Sequence, residues 1–113
     1  MSDYSLISRF EQQLLEVTEM ILARYQKELK KTNLTAVVKR MSQLPLSDPE
    51  YCSEVVVEFY SNRTLADILE FFAWKDGAPH ASLEEAKEWL NFNVQDVIQK
   101  QRERLKNQNK VTV

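Results

Sequence analysis

Apolar side chains recur at Ile7, Phe10, Leu14, Val17, Ile21, Tyr25 and Leu29. Steps of three and four keep one helical face apolar, so residues 3–31 are expected as one long amphipathic helix capped by Ser2 or Asp3. A second row, Leu15, Leu22 and Leu29, runs at steps of seven. Two rows mean a wide stripe or two partners on different sides. At about 1.5 Å per residue such a helix would be roughly 43 Å long. A chain of this size has an expected radius of gyration of about 13 Å. The helix must therefore protrude, break or pair with a second copy.

Thr32-Asn33 interrupts the pattern, and Leu34, Val37, Val38 and Met41 carry a helical stripe on to about Gln43. Residues 44–49 read as a linker, since Leu44 before Pro45 avoids the α region. Asp48-Pro49 and the Ser47–Glu50 spacing then signal a helix start. Over 50–61, Tyr51, Val55 and Phe59 share a helical face, but residues 54–60 are also a strong strand former. The cap signal and the lack of a matching partner strand favour helix. Thr64 and Asp67 have cap spacing for a helix over 65–75. That segment is apolar apart from Asp67 and Glu70 and so is expected to be the buried central element. Residues 75–81 form the clearest loop, with Gly77 as a left-handed helix end. Ser82-Leu83-Glu84-Glu85 is a capping box for a last helical region in which Asn91-Phe92-Asn93 invites a break. The fold class expected is all-α: a bundle of four to six helices, with a short β segment at 54–60 as the alternative. It makes one domain over 1–113, with 107–113 as a disordered tail.

Composition narrows the function. The chain has 113 residues, 43% of them apolar, enough for one cored domain. The single cysteine, Cys52, excludes an internal disulfide and fits a reducing, cytoplasmic setting. The N-terminus lacks the pattern of a secretion signal, and no apolar run approaches a membrane span. One glycine leaves no phosphate-cradling loop, and no nucleotide, EF-hand or zinc-finger motif is present.

Chemistry is thin. Cys52 and His80 could form a nucleophile–base pair only if the fold joins them. His80, Glu84 and Glu88 have steps of four, but His80 precedes the cap at Ser82, and zinc would want more nitrogen or sulfur. No catalytic residue, metal or cofactor is expected, and the chain is read as not an enzyme.

Charge is uneven around a net of −2. Residues 46–76 hold seven acidic and two basic side chains, between ends that are each weakly basic. Such asymmetry either solvates a face or steers a basic partner. A basic stretch bears Lys100, Arg102, Arg104 and Lys106, whose helical phase spreads them around the axis. Nucleic-acid binding there is the alternative function. Residues 64–69 resemble the first helix of a helix-turn-helix, but the following loop is too long and the next helix opens on glutamates. The principal expectation is a small non-enzymatic regulator or accessory protein acting by protein–protein contact. Its contact residues would be Leu15, Leu22, Leu29, Phe71, Trp74 and Trp89, with a homodimer paired through 3–31.

Overall fold

Two tight loops decide the architecture. Asn62 and Arg63 have φ of 52° and 67°, and Asp76 and Gly77 have 55° and 79°. Positive φ at both central residues is the two-residue turn whose twist matches antiparallel strands. Ser61 pairs with Thr64 across the first turn and Lys75 with Ala78 across the second. A computed structural model describes residues 4–111, with side chains through 108. Its order is α1 (Tyr4–Arg24), α2 (Gln26–Lys31), β1 (Thr35–Ser42), β2 (Ser53–Ser61), β3 (Thr64–Lys75), β4 (Ala78–Pro79) and α3 (Leu83–Val111). The strands form one antiparallel sheet in the order β1-β2-β3-β4.

The all-α bundle of four to six helices is therefore wrong: three segments expected as helices are strands. Residues 34–43 supply β1, 50–61 supply β2, and 65–75, taken as the central helix, supply β3. The strand reading of 54–60 was correct, and its missing partners were the two segments misread beside it. Ile68 and Phe72 lie on one face of β3, and Leu69 and Phe71 on the other. A strand apolar on both faces looks, in sequence, like a helix apolar all round. The Ser47–Glu50 capping box does not form. Instead the Glu50 N–H donates to Asp48 Oδ1 at 2.8 Å inside the linker.

The helical expectations fare better. The long N-terminal helix forms but breaks at Tyr25, whose hydroxyl donates to Asn91 Oδ1 at 2.5 Å and accepts from Gln95 Nε2 at 2.7 Å. The expected caps Ser2 and Asp3 lie outside the described residues. The Ser82 box closes reciprocally: Glu85 N–H donates to Ser82 Oγ at 3.1 Å, and Ser82 N–H to Glu85 Oε1 at 3.2 Å. α3 runs unbroken through Asn91 to Asn93 and continues to Val111, beyond the expected start of a tail at 107.

The register of β2 on β3 shifts near both ends of the pair, between Ser53 and Glu54 and between Phe59 and Tyr60. Such bulges increase local bend and twist, and the sheet curls into a half-barrel. Its inner face packs on α1 and α3. Val55, Val57 and Phe59 are fully buried there, against Leu14 and Ile21 of α1 and Leu90, Val94 and Val97 of α3. On the other face Lys39 Nζ lies 2.8 Å from Glu58 Oε1, to which Tyr60 also donates at 2.9 Å. The bond and charge of Lys39 hold the Glu58 carboxyl below its ordinary range, and Glu58 in turn raises Lys39 and Tyr60. The radius of gyration is 16.5 Å and the extents are 65 × 24 × 17 Å, so the molecule is elongated.

Candidate docking site

β3 is an edge strand over most of its length. β2 covers one side, while β4 covers the other only at Trp74 and Lys75. One further bond, His80 N–H to Ala73 O at 3.0 Å, extends that cover. Among the described residues, 65–72 therefore have no strand on their outer edge. Ile68 N–H donates to the Asp67 carboxylate at 2.8 Å, which marks it as an amide turned away from β2. The ladder is regular from Asp67 to Phe72, so the same orientation recurs at every second residue, at Ile68, Glu70 and Phe72.

The first turns of α3 stand beside this edge without covering it. Trp89 bridges the gap to Phe71, ring centres 5.1 Å apart. The result is an open groove of about 700 Å³ floored by Phe71, Phe72, Trp89 and Phe92. Phe92 is 70% exposed and Trp89 39%. Folding does not drive that apolar area into solvent, and aromatics are enriched where proteins meet. His80 packs on Phe72, ring centres 5.5 Å apart, and Lys75 Nζ sits 4.3 Å from the centre of the same ring.

The groove's rim is acidic. Glu70, Glu85 and Glu88 line it, and no lysine or arginine does. Glu70 and Glu88 are exposed and make no ion pair among the described residues.

The remaining candidate residues fall elsewhere. Leu22 and Leu29 are buried in the core with Val57 and Phe59, and Leu15 is half-buried against a second cluster around Leu14. The row expected to pair two copies thus faces the sheet. Trp74 is half-buried, edge-on to Phe10 with ring centres 6.2 Å apart, and does not line the groove. Phe71 and Trp89 are brought together, and Phe92 joins them. Lys100, Arg102, Arg104 and Lys106 are exposed, but Lys100 pairs with Asp96 at 3.1 Å and Arg104 lies 3.8 Å from Asp67. Two of the four therefore have a carboxylate beside them at the surface.

No hydrogen bond joins Cys52 to His80, and no group of three or more His, Cys, Asp or Glu side chains among the described residues is placed to hold a metal. Among the described residues, the buried charged side chain, Glu11, has a structural role. Glu11, 4% exposed, accepts from Tyr51 Oη at 2.5 Å and sits 3.5 Å from Arg40 Nη1. Burial, followed by the bond to Glu11, raises the Tyr51 hydroxyl above its ordinary value. These contacts pin the linker between β1 and β2 onto α1. No helix among the described residues is long and apolar enough to cross a membrane. No protein-family model, curated protein or solved structure matches the chain.

Proposed function

We propose that this protein is a non-catalytic docking module that binds another protein in the groove between α3 and the free edge of β3. The observation that carries the reading is the placement of Phe92, 70% exposed, and Trp89 beside an uncovered strand edge. The internal pairing of Lys100 and Arg104 and the acidic rim weigh against nucleic acid as the partner.

The test is selection of a random-peptide library against the full chain, followed by binding to Phe92→Ala and Trp89→Ala variants. Phe92 is mostly exposed and its truncation is expected to cost about 0.5 kcal/mol or less, whereas Trp89→Ala also loses its packing on Phe71, so the fold of each variant is checked by thermal unfolding before binding is read. Truncating an aromatic anchor is expected to weaken selected peptides by about tenfold or more. Selected peptides that bind both variants as tightly as the parent would refute the groove as the docking site.

A further inference from the structure

The occupant of the groove can be read from its chemistry, granting that the groove is the docking site. A strand edge offers unpaired N–H and C=O groups at fixed spacing, which only another extended backbone satisfies in full. Here the outward-facing amides belong to Ile68, Glu70 and Phe72. An aromatic floor lies to one side of that edge, and Glu70, Glu85 and Glu88 stand around it. A helix laid in the groove would use the aromatics and leave the edge unpaired. A second copy paired edge to edge would set one acidic groove against another, with Glu70, Glu85 and Glu88 on each side, and like charges brought together disfavour that pairing. We infer that the occupant is an extended, cationic segment of a partner protein that adds to β3 as a further strand. Its apolar side chains alternate with Lys or Arg, the apolar ones facing Phe71, Trp89 and Phe92 and the cations lying beside Glu70 on the opposite face, while Glu85 and Glu88 on α3 add to the acidic field of the groove.

This inference explains two features that folding alone does not. The Asp67 carboxylate occupies the Ile68 N–H and is itself turned toward Arg104. The edge is therefore guarded when empty, as exposed edges in monomeric proteins are. The acidic excess of residues 46–76 also gains a role at Glu70: it selects the sign of the partner.

The probe is a synthetic peptide of alternating lysine and valine, titrated into the full chain while the backbone amide shifts and Trp89 fluorescence are followed. Saturable shifts centred on Ile68, Glu70 and Phe72 are expected. N-methylation of alternate peptide amides removes edge hydrogen bonds, each worth about a factor of five to ten, and is expected to weaken binding by at least that factor. A glutamate–valine peptide is expected not to bind. Glu70→Lys with Glu88→Lys is expected to invert that preference, and rising salt to weaken the cationic complex. Two outcomes overturn the inference while sparing the docking reading. One is equal binding of the N-methylated peptide. The other is preference for a helical lysine–leucine peptide that moves Trp89 but not the β3 amides. Absence of any change at the groove with every peptide, alongside selected library peptides indifferent to Phe92 and Trp89, overturns both. A concentration-dependent dimer abolished by Phe92→Asp would give the groove to a second copy and also refute the inference.

Discussion

Glu11 is a carboxylate held on the buried face of a helix, and such a group is tolerated only when it is bonded. Tyr51 and Arg40 supply that bonding from two other elements. Tyr51→Phe removes the shorter contact and leaves the carboxylate short of a donor where water has poor access. The expected cost is about 1–3 kcal/mol, read as a lower urea midpoint with an unchanged slope. A change within error would show that the cluster does not hold the linker. Phe92 stands at the opposite extreme: a large ring left in water with no bond to make. One residue is costly to remove because of what it satisfies, the other cheap because it satisfies nothing within its own chain.

Among elements, the β3–β4 turn fixes where the sheet ends. Gly77 has φ of +79°, and no atom lies within 4 Å of the position a Cβ would take. The cost of Gly77→Val is therefore conformational rather than steric, about 1–2 kcal/mol, and it should appear in thermal unfolding with the far-UV spectrum unchanged at low temperature. A loss of less than about 0.3 kcal/mol would mean that the turn relaxes to another type. The same turn shows how legible the sheet was. Asp76-Gly77 between apolar runs is a strong hairpin signal, yet beside a run taken for a helix it reads equally well as a helix end. Once 65–75 is a helix, 54–60 has no strand to pair with, and one wrong assignment sustains the next. The Ser82 box and the periodic faces of α1 and α3 were legible because caps and helical stripes are local. Strand pairing is not local. The groove needed the sheet first: Phe71 and Trp89 were marked individually, but their meeting depends on where β3 runs. Phe92 became significant only when the edge beside it proved uncovered.

Across the whole molecule, the core joins the two ends of the described chain through the sheet. Ile21 and Leu22 come from α1, Leu29 from α2, Val57 and Phe59 from β2, and Leu90, Val94, Val97 and Ile98 from α3. Leu22 therefore belongs to the interior and not to a seam between copies. Leu22→Asp, alone or with Leu15→Asp, is expected to cost at least about 3 kcal/mol and to abolish cooperative unfolding. Circular dichroism on heating checks this, and a soluble, cooperatively folding monomer would restore the pairing role first expected of residues 3–31.

That shared core has a consequence for how the protein is made. α3 follows the sheet in the chain, so during synthesis β1 to β4 leave the ribosome before the helix that packs on their inner face exists. For that interval Val55, Val57 and Phe59 are only partly sheltered by α1, and the outer edge of β3 over 65–72 is open to other chains. Asp67 and Glu70 on β3 then act as gatekeepers, discouraging aggregation of the unfinished polypeptide. The acidic character of β3 thus has a use that does not depend on docking.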